Sequence, residues 1–249
     1  MKAAGYGQNL CQRRGRTSYN SGFKQGSFLL KPRRGHNKDA VTRKRKNMEK
    51  VKTFEMEWGG RKLSVEIGKL ALQATGSCRV QYGDTVVLAT AVMSKSIREG
   101  IDFFPLMVDY EEKLYAAGII KGSRFIKRET RPSDEAVLTG RMIDRSIRPL
   151  FPHDLANEVQ VMLTVLSVDG DSDPDVVSLI GASIALQISN IPWVGPIGGI
   201  RVGQINGEWV LNPSFEARAK SLLDVVVAGD GEKTIMLEAG ANEASEDTV

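Results

Sequence analysis

The feature that most constrains this sequence is a helix whose start and end are both marked by specific residues. Ser133 is a good N-cap residue, and the two acids after it stand in the first turn, where the helix dipole favours negative charge. Pro149 disfavours helical geometry in the residue before it, so we expect the helix to end near Arg148. Apolar side chains recur on one face and must pack into a core: Ala136, Ile143, Ile147 and, on the flank, Met142.

The opposite face of this helix and the loop before it are basic. The basic side chains form a loop group, Arg124, Lys127, Arg128 and Arg131, and a helix group, Arg141, Arg145 and Arg148. The planar guanidinium suits phosphate oxygens, and Phe125 in the loop could stack on a nucleobase, as in proteins that hold single strands. The alternative is structural: Asp134 and Asp144 neutralise the arginines, and Phe125 packs into the core. The spacing leaves both interpretations open.

Charge divides the chain into two unlike parts. Residues 1–47 carry thirteen of the thirty-four Lys and Arg residues and a single acid, Asp39, whereas residues 48–249 are acidic on balance. Because they show no hydrophobic period, residues 1–47 are predicted to be a disordered basic tail. Three interpretations stay open: a tail that attracts RNA, an organelle transit peptide, or a start assigned too far upstream. We favour the last, because patterned sequence begins directly after Met48.

Strand and helix patterns follow one another after Met48 without strict alternation. Tight turns join strand patterns in pairs at residues 59–60, 83–84 and 206–207. Helical spacing recurs in residues 133–148, 175–189 and 215–223. Since the order shows no regular βαβ units, we predict an α+β fold of mixed sheets packed with helices, with residues 48–249 as a single domain.

The sequence contains no phosphate-binding loop and no dinucleotide-binding fingerprint. His36 and His153 have no partner at catalytic or metal-binding spacing, and two cysteines are too few for a disulfide framework. The acidic run 169–175 resembles a calcium loop, but Pro174 stands where that turn needs Gly, so a loop that caps the next helix explains it better. We therefore predict no catalytic residue, no metal site and no membrane span here.

Several blocks of the sequence resemble, in order, one protein family. The blocks are FFPLMVDYEEKLYAAG, FIKRETRPSD, RMIDRSIRPLFP, NEVQVMLTVLSVD, GASIALQIS and GPIGGIRVG. From about Met48 to Val249 the chain resembles the N-terminal portion of the polynucleotide phosphorylases (polyribonucleotide nucleotidyltransferases), which contains their first RNase PH-like core. The resemblance implies that the predicted α+β domain is such a core, truncated at its C-terminal end.

This resemblance implies an enzyme that degrades single-stranded RNA from 3′ to 5′ with inorganic phosphate and releases nucleoside diphosphates. Full-length members are cytoplasmic homotrimeric rings that use Mg²⁺ and inorganic phosphate in a second core and work with RNA-degradation partners. The first core supplies RNA binding and ring assembly, so this portion alone should be inactive and bind neither cofactor. The implied RNA-binding residues are Phe125, Lys127, Arg128, Arg131, Arg141, Arg145 and Arg148. The alternative is a stand-alone, non-catalytic RNase PH-like subunit of an RNA-binding ring.

Overall fold

The computed structural model describes residues 51–97, 100, 102–120 and 131–245. Its first half contains β1 (Lys52–Trp58), β2 (Arg61–Ile67), β3 (Gly76–Tyr82), β4 (Thr85–Ile97), β5 (Leu106–Glu112), a 3-10 turn (Leu114–Ala117), α1 (Asp134–Ile147) and another 3-10 turn (Arg148–Leu150). Its second half contains β6 (Asn157–Ser167), α2 (Pro174–Gln187), β7 (Gly198–Ile205), β8 (Glu208–Leu211), α3 (Phe215–Arg218), β9 (Leu223–Gly229) and β10 (Thr234–Ala241). The predicted tail, residues 1–47, lies outside the described residues, so its nature stays a prediction.

The first sheet is mixed. Its strand order is β1-β2-β3-β4-β6-β5, in which β5 runs parallel to β6 and every other neighbouring pair is antiparallel. Alternate residues of the central strands face the core, so Val80, Ala89 and Val161 are fully buried while the residues between them are partly exposed. One face of this sheet is therefore available for helix packing.

The second sheet is antiparallel throughout, with the strand order β10-β9-β7-β8. Its β7-β8 hairpin turns at Asn206 and Gly207, whose φ angles are 52° and 83°. Asn and Gly tolerate these left-handed conformations, which a two-residue hairpin of this type requires. The hairpin predicted at this position is confirmed.

Helices α1 and α2 form a layer between the two sheets. Helix α2 packs against β3, β4 and β6 on one side and against β7 on the other, while α1 packs against β5 and β10. Gly76 of β3 permits the close approach of α2, since a Cβ atom there would lie 2.1 Å from the carbonyl oxygen of Ala185. This arrangement confirms the predicted α+β class of mixed sheets packed with helices.

The helix predicted for residues 215–223 is wrong beyond Arg218. Ser221 Oγ accepts a hydrogen bond from the Gln204 amide at 2.8 Å, and the Leu222 amide donates to the Gln204 carbonyl at 2.9 Å. These bonds to β7 turn the chain into the start of β9. They join residues that are distant in sequence, so the local helical period could not reveal them. Within the described ranges, no helix is long and apolar enough to cross a membrane.

Candidate nucleic-acid interface

Helix α1, which carries three of the predicted RNA-binding arginines, begins as the sequence indicates. Ser133 Oγ accepts a hydrogen bond from the Ala136 amide at 3.1 Å and so satisfies one free amide of the first turn. Its buried side consists of Ala136, Gly140, Met142, Ile143, Ser146 and Ile147. Burial of Ile143 and Ile147 contributes about 1.5–3 kcal/mol for each side chain. The predicted apolar face is confirmed, and it anchors the helix in the core.

Aromatic residues fix the C-terminal end of α1. Trp193 Nε1 donates a hydrogen bond to the carbonyl of Ile147 at 3.1 Å. The ring of Phe151 lies between the rings of Phe104 and Trp193, with centroid distances of 4.8 and 6.5 Å. The last turn of the helix, and with it the position of Arg148, is therefore rigidly placed.

Arg148 is engaged by the protein itself. Its Nε and Nη2 donate to the two carboxylate oxygens of Asp144 at 2.9 and 2.7 Å. Nη1 and Nη2 also donate to the carbonyls of Phe104 and Leu106 at 3.4 and 3.3 Å, and the guanidinium lies 5.9 Å from the centroid of the Phe104 ring. The structural interpretation therefore explains this arginine, which secures the edge strand β5 to α1.

Arg141 and Arg145 differ from Arg148 in their surroundings. Both side chains are exposed, and neither has a hydrogen-bond or ion-pair partner within the part of the chain that the structure describes. Arg131, just before the helix, is exposed as well. Arg141 also lines a groove of about 560 Å³ between α1 and β5, whose other charged lining residues are Asp109, Glu111, Asp144 and Arg148. Both arginines are thus available to phosphate oxygens.

Three residues of the predicted site belong to the loop before α1. Phe125, Lys127 and Arg128 lie in residues 121–130, outside the described residues. Their assignment to RNA binding stays a prediction, as does that of Arg131, Arg141, Arg145 and Arg148.

A second charged group, which the sequence did not indicate, lies on the other side of α1. Arg201 Nη1 donates to both carboxylate oxygens of Asp224, at 2.9 and 2.7 Å, and its Nη2 donates to Asp175. Arg218 Nη1 donates to Asp173 at 2.8 Å. We call Asp173, Asp175, Arg201, Arg218 and Asp224 the charged cluster. Its members come from separate elements, so no spacing in the sequence could reveal it.

The charged cluster lines a cleft of about 670 Å³ that is acidic on balance. The cluster has three carboxylates and two guanidiniums, and more acids than bases line the rest of the cleft: Glu112, Glu135 and Glu238 against Lys113. Burial, followed by repulsion from Asp173, raises the pKa of Asp175 to about 6, and Arg201 offsets this only in part. A cleft of this charge disfavours phosphate. The exposed arginines of α1, which are unpaired within the described residues, are therefore the better candidates for contact with nucleic acid.

Acids at the start of α2 have structural roles. Asp173 caps the helix and accepts a hydrogen bond from the Asp175 amide at 3.3 Å, which confirms the capping interpretation of the acidic run. Asp169 accepts from the amides of Asp171 and Ser172, both at 2.9 Å, and from Arg61 at 3.4 Å. These contacts account for the clustering of acids without a bound ion.

Two family models match the chain. The model described as "3' exoribonuclease family, domain 1" matches residues 59–192, which is more than half of the chain, and "3' exoribonuclease family, domain 2" matches residues 195–249. The chain belongs to the 3′ exoribonuclease family. In this family's terms, Asp173 and Asp175 lie in domain 1, whereas Arg201, Arg218 and Asp224 lie in domain 2. The charged cluster is therefore the ionic contact between the two domains.

Curated relatives of this 3′ exoribonuclease family member include several polyribonucleotide nucleotidyltransferases. The chain is 57% identical over 196 residues to polyribonucleotide nucleotidyltransferase 1 of Alkaliphilus metalliredigens, a match that covers 79% of this chain and 28% of the relative. It is 54% identical over 198 residues to the polyribonucleotide nucleotidyltransferase of Ruminiclostridium cellulolyticum, a match that covers 80% of this chain and 28% of the relative. The predicted resemblance to the N-terminal portion of such proteins is confirmed, and the chain spans about 28% of the length of these relatives.

Solved structures support the fold of this family member. Rice Rrp46 matches with a TM-score of 0.57 at 17% identity, covering 81% of this chain and 86% of that one. A chain of the Archaeoglobus fulgidus exosome with RNA bound to the active site matches with a TM-score of 0.58 at 14% identity, covering 85% and 89%. At such low identity these matches show an RNase PH-like fold and carry no conclusion about ligands.

Proposed function

We propose that this chain is the first-core portion of a polyribonucleotide nucleotidyltransferase and that it binds the RNA strand. The whole enzyme degrades single-stranded RNA from 3′ to 5′ with inorganic phosphate, releasing nucleoside diphosphates. The observation that carries the RNA-binding role is the pair Arg141 and Arg145, exposed on a helix anchored in the core and unpaired within the described residues. Two exposed guanidiniums on an anchored helix, without carboxylate partners in the part of the chain that the structure describes, suit successive phosphates of a strand.

The charged cluster does not fit a magnesium site. Its carboxylates Asp173, Asp175 and Asp224 are all bonded to Arg201 or Arg218, and the described residues contain no group of three or more acids, histidines or cysteines arranged to hold a metal. The proposal therefore assigns Mg²⁺ and inorganic phosphate to the remainder of the full-length enzyme. A cytoplasmic location, a homotrimeric ring and RNA-degradation partners belong to the same proposal and rest on the resemblance to the polynucleotide phosphorylases.

Binding of the 249-residue chain to a poly(A) strand at several salt concentrations tests the RNA-binding role. The variant Arg141→Ala/Arg145→Ala should bind more weakly and show a smaller salt dependence, because each lost phosphate contact on a single strand reduces the slope of log K against log salt by about 0.7. The matched control is Lys62→Ala, which removes an exposed base on β2, far from β5 in strand order and paired with Glu55 at 2.9 Å. An equal loss of poly(A) affinity in both variants would contradict a specific role for α1 in RNA binding.

Release of nucleoside diphosphates from the same strand tests the division of labour. With inorganic phosphate and Mg²⁺ present, this chain should bind poly(A) without releasing product. Release by the chain alone would place the chemistry within these residues and overturn the assignment to the remainder of the enzyme. Release by a full-length protein would distinguish the enzyme from a non-catalytic ring subunit.

A further inference from the structure

Two buried donors next to the charged cluster have no partner. Arg201 Nε and Asn212 Nδ2 are inaccessible to solvent, and within the described residues neither nitrogen has a hydrogen-bond acceptor. A buried N–H group left without an acceptor destabilises the folded state. Such groups in folded proteins usually bond to ordered water.

Both nitrogens are held in place by the bonds that their own side chains already make. Asn212 Oδ1 accepts from the Arg201 amide at 3.3 Å, and this contact requires the oxygen there, so the amino group must point the other way. The Arg201 guanidinium is fixed by Asp224 through Nη1 and by Asp175 through Nη2. Neither donor can reach another acceptor without breaking these bonds.

The two side chains line the same small cavity, of about 20 Å³. A volume of about 10–15 Å³ is enough to hold one water molecule. Tyr82 and Ser172 contribute hydroxyl groups to the lining. A Cβ atom placed on Gly59 would lie 3.0 Å from Asn212 Nδ2 and 3.1 Å from Tyr82 Oη, so both polar groups lie close to Gly59.

We propose that this cavity binds one water molecule, which accepts hydrogen bonds from Arg201 Nε and Asn212 Nδ2. The chemistry of the lining selects water over an ion. The carboxylates of Asp173 and Asp175 repel an anion, and the two N–H donors repel a metal cation. A water molecule both accepts from the donors and donates to the hydroxyl or carboxylate oxygens. The bound water joins domain 1, through Tyr82 and α2, to domain 2, through Arg201 and Asn212.

A crystal structure of the 249-residue chain, grown with sodium bromide, tests the proposal directly. The expected result is a density peak of one water within hydrogen-bonding distance of Arg201 Nε and Asn212 Nδ2. Anomalous scattering from bromide at that peak would identify an anion and overturn the proposal. A cavity without density, with either side chain rotated onto a protein acceptor, would overturn it as well.

Oxygen-17 relaxation dispersion of the water signal provides a measurement in solution, because it counts long-lived internal waters. Asn212→Gly should lose one such water per chain, and Gly suits this position because the φ angle of Asn212 is 48°. The matched control is Asn206→Gly, which changes an exposed asparagine with a φ angle of 52° in the same hairpin and should lose none. An unchanged count in Asn212→Gly, or an equal loss in both variants, would reject the site.

Discussion

Arg148 and Asp144 form a bidentate ion pair at the end of α1, with distances of 2.9 and 2.7 Å between the guanidinium nitrogens and the carboxylate oxygens. Arg145, in the same turn of the helix, is exposed and has no such partner within the described residues. Two arginines of one basic face therefore have different surroundings. Arg148 is held by Asp144 and by backbone carbonyls, whereas Arg145 is exposed to solvent.

Arg148→Ala should lower the free energy of unfolding by about 1 kcal/mol, because a partly exposed ion pair contributes little and the lost bonds to the Phe104 and Leu106 carbonyls add to it. Arg145→Ala should change stability by less than about 0.5 kcal/mol and weaken RNA binding more than Arg148→Ala does. Urea denaturation and salt-dependent RNA binding of both variants measure these effects. A larger loss of stability in Arg145→Ala, or a larger loss of RNA affinity in Arg148→Ala, would contradict this prediction.

Two glycines should respond to alanine in opposite ways. A Cβ atom on Gly76 would lie 2.1 Å from the Ala185 carbonyl, so Gly76→Ala must push α2 away from β3 and should cost about 3 kcal/mol. On Gly140 the nearest atom is the Val108 carbonyl oxygen at 3.4 Å, an ordinary contact, and alanine favours the helix by up to about 1 kcal/mol. In thermal unfolding, the midpoint temperature should therefore fall strongly for Gly76→Ala and should not fall for Gly140→Ala. A large loss for Gly140→Ala would contradict the described packing of α1 on β5.

The stability contributed by Asp175 should fall as pH rises. Burial and repulsion from Asp173 raise its folded-state pKa from 3.8 to about 6. Between these values the folded chain binds more protons than the unfolded chain, so the contribution is greatest at acid pH and is lost through about pH 6. Urea denaturation of the chain and of Asp175→Asn at about pH 4.5 and pH 7 measures this effect. From the lower to the higher pH, the unsubstituted chain should lose stability relative to the variant.

Asp169→Asn is the control for this pH dependence, because the pKa of Asp169 is lowered in the folded chain whereas that of Asp175 is raised. Burial raises the pKa of Asp169, but bonds from the Ser172 and Asp171 amides outweigh it and lower the pKa below its ordinary value. The stability contributed by Asp169 should be present at neutral pH and lost only as pH falls below about 4. If both variants change the pH dependence in the same direction, the described surroundings of Asp175 are wrong.

Cys78 should be chemically inert in the folded chain. Its thiol is buried, donates to the Gly181 carbonyl at 3.4 Å, and burial raises its pKa to about 12, so the reactive thiolate is scarce at neutral pH. In a Cys11→Ser variant, a thiol-reactive dye should label no cysteine until denaturant is added. Rapid labelling of the native variant at pH 8, with unchanged circular dichroism, would contradict the burial of Cys78.

Local sequence determined the ends and the buried face of helix α1 and the position of one hairpin. Ser133 sets the start of α1 through its cap, and α1 ends at Ile147, close to the predicted end, because Pro149 has no amide hydrogen to continue the helix. Arg148 itself keeps helical angles, with φ −56° and ψ −42°, so the expected restriction on the residue before proline is not what ends the helix. The spacing of Ala136, Ile143 and Ile147 predicted the buried face, because one helical period governs which residues share a side. The hairpin at Asn206-Gly207 was readable for the same reason: its turn depends on the conformations of two adjacent residues.

Tertiary structure decided which charges are available. Arg141, Arg145 and Arg148 look equivalent in sequence, yet only Arg148 meets the carbonyls of Phe104 and Leu106, which reach it through packing of β5 on α1. The charged cluster was invisible for a related reason, since Arg201 pairs with Asp224 across neighbouring strands, and the arginines meet Asp173 and Asp175 only when domain 2 folds onto the start of α2. Periodicity places a side chain on a face of its own helix. What that face meets depends on contacts between residues far apart in the chain, which the order of residues does not display.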